Sequence, residues 1–429
     1  MNISPARTAA FDILLRIETE KAFSSVLLPI FEETLSTLDS ALCHELTLGT
    51  LRRQIYLDRV IDTFSGGKKL DIEVRIALRL ALYQLYYLTK VPPYSAINES
   101  VNLAVRARKT SARGFVNAIL RRASRETVEL PFVDETDRIS VETSHPRWLI
   151  QKWIAAFGFE EAARVAAANN KIPETAFRVI GPATENVERL IERSRQSVNV
   201  DGCHIAVTSE HVFTLAKSGE IYIQDEASQM VAQTVEIPKG GYFLDVCAAP
   251  GGKSGLIAQR NRLDAACIVA GDLYWPRVEF SRDNCRRQGV GFVDFVQYDA
   301  ELGLPFADGR FDSVLVDAPC SGTGTIRHNP EIRYFLKPQD FDELSSKQLS
   351  ILQNASKLVR PGGLLIYSTC SLEKEENEDV CERFLADWFD FQNVAPLVPD
   401  TFVTAEGFAR TWPHRDEMDG FFIAAFRRG

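Results

Sequence analysis

The sequence predicts a multidomain protein: an all-α N-terminal bundle, a small α/β middle module, and a C-terminal α/β domain built on a mostly parallel, doubly wound sheet. Three observations lead there. At 429 residues the chain is longer than one hydrophobic core normally serves. Apolar residues recur at helical spacing through residues 1–130. From residue 223 onward short apolar strands alternate with helical stretches, the rhythm of a parallel sheet. Three domains follow, at 1–140, 141–222 and 223–429.

In YLDRVIDTF, Leu57, Val60, Ile61 and Phe64 fall at i, i+3, i+4 and i+7, one apolar stripe of a helix. IEVRIALRLALYQLYYL (72–88) is apolar nearly all round and predicts the central buried helix of a bundle. VPP at 91–93 breaks it, Ser95 precedes the next helix, and Arg113-Gly114 precede the last. Residues 131–140, PFVDETDRIS, read as a polar linker. In SHPRWLIQKWIAAFG (144–158), Ser144 is a candidate helix cap with Pro146 just inside. AFRVI (176–180), ENVERLIERSR (185–195) and HIAVTS (204–209) supply a strand, a helix and a strand for the middle module, whose function the pattern alone does not assign.

Composition excludes several classes. No stretch approaches the roughly 18 uninterrupted apolar residues of a membrane helix. The first twenty residues carry Arg7, Asp12 and Arg16 among apolar positions, an amphipathic helix and not a signal peptide, so a cytoplasmic location is expected. The eight cysteines are dispersed without a CxxC pair, so neither a metal site nor a disulfide framework is expected. The net charge is −9, yet residues 1–130 carry 18 Lys and Arg against 14 Asp and Glu. Within 101–130 the balance is 7 to 2, from Arg106, Arg108, Lys109, Arg113, Arg121, Arg122 and Arg125. A basic segment on an acidic protein points to an anionic partner, most commonly nucleic acid; a solvated helix face fits the charge alone equally well.

In the C-terminal domain strands are predicted at 242–248, 266–272, 292–299, 313–318 and 363–369, with FFIAAFRR (421–428) as an added edge strand. LDVCAAPGGKS (244–254) follows the first strand and opens a helix, so its glycines let backbone approach a ligand at a helix N-terminus. GKS invites a phosphate-loop reading, but position 247 is Cys where that motif needs Gly. Asp272, Asp299 and Asp317 end the next three strands. Three acceptors at one sheet edge suit a nucleoside carrying a cation, as in S-adenosylmethionine.

Two cysteines also sit at strand ends: Cys320 in DAPCSGTG (317–324) and Cys370 in YSTCSLEKEENE (367–378). A free cysteine is commonly a small buried hydrophobe. The other reading is a nucleophile for a pyrimidine. A thiolate adding at carbon 6 makes carbon 5 behave as an enamine, which takes a methyl group, loses its proton and expels the thiolate. On chemistry alone either cysteine could add. Helix N-terminal amides at a strand-to-helix junction would favour the thiolate, while the acidic EKEENE opposes it.

CHELTLGTLRR (43–53), LYQLYYLTKVPPYSAINESVNLA (82–104) and GFVNAILRR (114–122) resemble the NusB family of helical RNA-binding domains. LDVCAAPGGKS, DAPCSGTG, YSTCSLEKEENE and DGFFIAAF resemble the RNA cytosine-5 methyltransferases, and the domain in front is similar to their bacterial 16S ribosomal-RNA branch, the RsmB (Sun/Fmu) type. The resemblance implies a NusB-like bundle, an RRM-like middle module and a Rossmann-like class I methyltransferase domain. It implies Cys370 as nucleophile and Cys320 as the residue that assists release of the product. S-adenosylmethionine would be bound by Cys247, Ala248, Ala249, Pro250, Gly251, Gly252, Lys253, Asp272, Asp299 and Asp317, with Asp317 and Lys253 also reaching the target base. The implied partner is small-subunit ribosomal RNA, held in part by the seven basic residues of 101–130, with the protein acting as a monomer away from membranes. A looped or unpaired cytosine would leave its stack most readily. IRHNPEIRY (326–334) departs from the family's two consecutive basic residues before the Asn-Pro, having Arg327 and then His328, so no phosphate contact is assigned to His328. The same chemistry on transfer RNA, or an inactive NusB-like binding or assembly protein, are the competing readings.

Overall fold

The computed structural model describes residues 3–208 and 211–429; Met1, Asn2, Glu210 and Ser209, the last residue of HIAVTS, lie outside them. The chain forms two compact units, residues 1–171 with 326–338, and residues 172–325 with 339–429.

The first unit is helical. Its helices are Pro5–Glu20, Ser24–Glu32, Thr37–Arg52, Gln54–Ser65, Ile72–Tyr87, Pro93–Arg106, Arg113–Ala123, Glu135–Thr143, Arg147–Phe157 and Phe159–Ala168. Ile72–Tyr87 is central as its pattern requires, with Ile76, Leu78, Leu80 and Leu82 fully buried. Arg79 lies within that helix, and its guanidinium stays satisfied by Asp58 at 2.6 Å and by Glu18.

Three boundaries differ from the sequence reading. Much of the linker 131–140 is helical, because the Asp134 side chain accepts from the Asp137 N–H at 2.8 Å and acids occupy the first turn. Ser144 does not cap the following helix. It closes the preceding one in a left-handed conformation (φ 55°), and its hydroxyl accepts from the Tyr56 N–H. The helix expected after Ser95 begins at Pro93, whose fixed φ suits a first helical position, and Ser95 donates instead to Glu99 at 2.9 Å.

Residues 326–338 complete the helical unit from far along the chain. The buried Glu331 accepts from the Ser24 N–H at 2.6 Å and hydroxyl at 2.8 Å. Arg333, fully buried, donates to the carbonyls of Thr143 (3.0 Å), Ser144 (3.3 Å) and Asn169 (3.2 Å) and to Asn170 Oδ1 (2.9 Å). Burial lowers the Arg333 pKa to about 10, so the guanidinium remains charged at neutral pH. Tyr334 donates to the Leu51 carbonyl at 2.6 Å, and Arg52 donates to the carbonyl of the buried Arg327. Arg333→Ala would take the guanidinium from the Asn169 carbonyl and Asn170 Oδ1, and one of two donors from the carbonyls of Thr143 and Ser144, which Asn170 Nδ2 and the Tyr334 hydroxyl also serve. It is expected to destabilise the protein by about 3 kcal/mol in urea unfolding. A loss below about 1 kcal/mol would contradict the role given to this side chain.

The second unit holds two sheets. The smaller comprises β1 (Thr175–Val179), β2 (Ser194–Gln196), β3 (Cys203–Ala206) and β4 (Ile221–Ile223), all antiparallel in the order β2-β3-β1-β4. Helices Glu185–Glu192 and Val212–Ser218 complete a βαββαβ ferredoxin-like module. The larger sheet comprises β5 (Tyr242–Asp245), β6 (Cys267–Asp272), β7 (Asp294–Gln297), β8 (Phe311–Asp317), β9 (Val359–Thr369), β10 (Phe391–Val394), β11 (Ala409–Arg410) and β12 (Phe422–Arg428), along the path β10-β12-β9-β8-β5-β6-β7. The five strands from β5 to β9 are parallel, so the sheet is mostly parallel as predicted. The terminal strand is not an edge strand. β12 lies antiparallel between β9 and β10, its Phe422 and Phe426 fully buried.

Strand order reverses between β5 and β8. Beyond the carboxyl ends of strands at such a switch point, α/β sheets leave a crevice.

Candidate active site

The crevice is a cavity of about 320 Å³ whose walls include Cys247, Asp272, Asp299, Asp317, Cys320 and Cys370. Residues from five parallel strands therefore meet at one place. The loop after β5 leads into the helix Gly252–Arg260. Gly251 has φ 94°, and a Cβ there would stand 3.0 Å from the Ser281 carbonyl oxygen, so glycine is required on both counts. Arg178 of β1 is buried behind this loop and donates to the Gly252 carbonyl at 3.3 Å, to Gln259 at 2.7 Å and to Gln224 at 3.1 Å. The ferredoxin-like sheet thus braces the loop. Sequence reasoning missed Arg178 because one arginine in a five-residue strand carries no motif.

Asp245 ends β5 and accepts from Ser254 at 2.5 Å; burial pushes its carboxyl up to about 7 despite that hydrogen bond. Asp272 ends β6, pairs with Arg277 at 2.9 Å and accepts from the Ala249 N–H at 3.2 Å. Asp299 lies two residues beyond β7, and its carboxylate accepts from the Glu301 N–H at 3.0 Å. Asp317 ends β8, accepting from Lys253 Nζ at 2.7 Å and from Ser368 at 2.8 Å. Burial alone would lower the Lys253 ammonium, but the Asp317 carboxylate outweighs it and holds the pKa above its ordinary value. Burial, then the acids around it, pushes the thiol of Cys247, which lines the cavity, above its usual range.

Cys320 follows β8 and Cys370 follows β9, neighbouring strands, and their sulfurs are 3.3 Å apart. Contact with Cys370, then burial, raises the Cys320 thiol well above its usual range. The helix expected directly after Cys370 begins only at Glu378, behind a 3-10 turn at Lys374–Glu376, so no helix N-terminus lies immediately behind the sulfur. Glu376 turns inward and is fully buried. In the sequence it was one more acid of EKEENE, and only the turn distinguishes it.

Three family models match the chain: the NusB family over residues 4–125, the ferredoxin-like domain of RsmF/B-like methyltransferases over 145–192, and 16S rRNA methyltransferase RsmB/F over 232–427. A probable ribosomal RNA small subunit methyltransferase B of Bacillus subtilis is 34% identical, covering 100% of both chains. The chain belongs to the RsmB family. The ribosomal RNA small subunit methyltransferase B of Pseudomonas putida is 34% identical over 89% of this chain and 88% of its own. Among solved structures, that of PH0851 superposes with a TM-score of 0.83 at 25% identity, covering 100% of each chain. A methyltransferase homolog protein from Pyrococcus horikoshii covers 68% of this chain and 98% of its own, with a TM-score of 0.58 at 28% identity.

As an RsmB-type methyltransferase the chain has a NusB domain in front, and that domain carries the basic segment. Arg106 is held by Asp12 at 2.7 Å, Lys109 by Asp71 at 2.9 Å, and Arg122 by Glu126 at 2.9 Å. Arg121 donates to Asn117 at 3.2 Å. Arg108, Arg113 and Arg125 are exposed and have no carboxylate partner among the described residues. Among those residues no helix is long and apolar enough to cross a membrane.

Proposed function

We propose that this RsmB-family protein transfers a methyl group from S-adenosylmethionine to carbon 5 of a cytosine in small-subunit ribosomal RNA, through a transient bond between Cys370 and carbon 6. The observation that carries this reading is the pair of thiols 3.3 Å apart, opening on the same cavity as Asp272 and Asp317. Two sulfurs at one point suit a reaction that must form and then break a bond to a ring carbon. The residues fit the cofactor: glycine backbone at Gly251 and Gly252, with Cys247, Ala248, Ala249, Pro250 and Lys253 along the loop and acids at Asp272, Asp299 and Asp317. When bound, S-adenosylmethionine supplies an electrophilic methyl group on a sulfonium centre.

Cys370 adds to carbon 6 and so makes carbon 5 nucleophilic. Lys253 and Asp317, an ion pair beside the thiols, orient the base through its polar edge. Once carbon 5 carries the methyl group, loss of its proton and expulsion of the Cys370 sulfur restore the aromatic ring, with Cys320 assisting that release.

Residues 1–140 hold the RNA, 141–222 form a linking module that also binds RNA, and 223–429 perform the chemistry, the protein acting as a monomer in the cytoplasm. Ribosomal RNA is favoured over transfer RNA by the relatives, which are named for the small ribosomal subunit. Mapping 5-methylcytosine in cellular RNA with and without the protein tests the reading. One cytosine of small-subunit RNA should lose its methyl group; an unchanged ribosomal map, or a loss confined to transfer RNA, refutes it.

The free cations make a second expectation. Changing Arg108, Arg113 and Arg125 together to Gln should weaken RNA binding and reduce the slope of log K against log salt by about 2, near 0.7–0.9 per lost phosphate contact. An unaltered slope would move the RNA elsewhere.

A further inference from the structure

We infer that Glu376 is a positioning residue for the reaction, a buried carboxylate that clamps the two cysteine-bearing loops into register. Its Oε1 accepts from the Ser321 N–H at 2.8 Å and from Gln348 Nε2 at 2.9 Å. Its Oε2 accepts from the Ser321 and Ser371 hydroxyls. Ser321 is the residue after Cys320, and Ser371 the residue after Cys370. One side chain therefore grips both loops a single peptide away from each sulfur.

The surroundings tighten the same joint. Gly324 N–H donates to the Cys370 carbonyl at 2.9 Å, and Leu372 N–H donates to Thr323 Oγ1 at 2.9 Å. Asn377 Nδ2 donates to the Ser371 carbonyl at 2.8 Å, and Gln348 Nε2 also donates to the Pro319 carbonyl at 3.0 Å. Among the described residues no cation pairs with Glu376; four donors from two loops and from the helix Asp340–Leu358 offset its loss of water. The carboxylate also acts on Cys320 through charge, adding to the contact and burial that already hold that thiol protonated. The two cysteines are thereby kept in contact.

This inference rests on the proposed function, in that both sulfurs serve one base. The test uses a readout independent of methylation. Diamide takes the hydrogens of two adjacent thiols onto its N=N bond, becoming a hydrazine while the S–S bond forms, and peptide mapping reports the Cys320–Cys370 link. In Glu376→Gln the amide presents a donor to groups that are themselves donors. Diamide cross-linking should slow about tenfold and kcat fall about 100-fold, while KM for RNA and affinity for S-adenosylmethionine stay within about threefold. Should that variant fail to fold, Ser371→Ala removes one donor and leaves the others, with about a threefold fall expected in both rates. Wild-type cross-linking and turnover in whichever variant folds overturns the inference. Cross-linking needs no RNA, so a wrong assignment of the target base leaves this measurement readable.

Discussion

Cys370→Ala is expected to abolish methyl transfer, with kcat at least about 1000-fold below wild type. Carbon 5 of cytosine is a weak nucleophile, and without sulfur at carbon 6 nothing raises its reactivity. Binding should survive, because the acids and the glycine loop around the cavity do not depend on that thiol for their hydrogen bonds. Affinity for S-adenosylmethionine by calorimetry and for RNA by gel shift is therefore expected within about threefold of wild type. A Cys370→Ala protein that methylates normally would hand the nucleophile's role to Cys320, whose sulfur is near enough to take it.

Cys320→Ala should behave in the opposite way. Attack by Cys370 remains possible, but the residue that assists expulsion is gone, so a protein–RNA adduct is expected to accumulate and to survive on a denaturing gel. The geometry supplies the reason. Cys320 is held protonated first by its contact with Cys370. Once the Cys370 sulfur is bonded to carbon 6 that contact no longer exists in the same form. Cys320, after giving up its own thiol proton to solvent, takes the proton from carbon 5 while the Cys370 sulfur leaves with the electron pair of its bond to carbon 6. Its state is thus tied to the progress of the reaction. Cys320→Ala that turns over without an adduct would end this account, and the double variant with Cys370→Ala should show no adduct in any case.

The strand ends were legible because chemistry-bearing residues there stand out against apolar runs. Asp272, Asp317, Cys320 and Cys370 come together in one crevice for that reason. The central helix was legible because it is apolar nearly all round. What escaped was support supplied from a distance. Arg178 acts on Gly252 from another sheet, and Glu376 is distinguished from the acids beside it only by a turn. The edge position given to FFIAAFRR failed because β10, only four residues long, carries little signal of its own. The basic segment read as a uniform patch, whereas carboxylates as distant in sequence as Asp12 and Asp71 neutralise part of it.

Residues 326–338 have a consequence for how the molecule comes into being. The helical unit includes a strand of chain translated more than a hundred residues after Lys171, so emergence of the first ten helices from the ribosome does not finish it. Until Arg333 and Tyr334 arrive, the Ser144 carbonyl lacks both of these donors and the Asn169 carbonyl lacks the guanidinium, while the Thr143 carbonyl keeps Asn170 Nδ2. A truncation ending at 171 would stay permanently in that unfinished condition, and the nascent chain passes through it each time the protein is made.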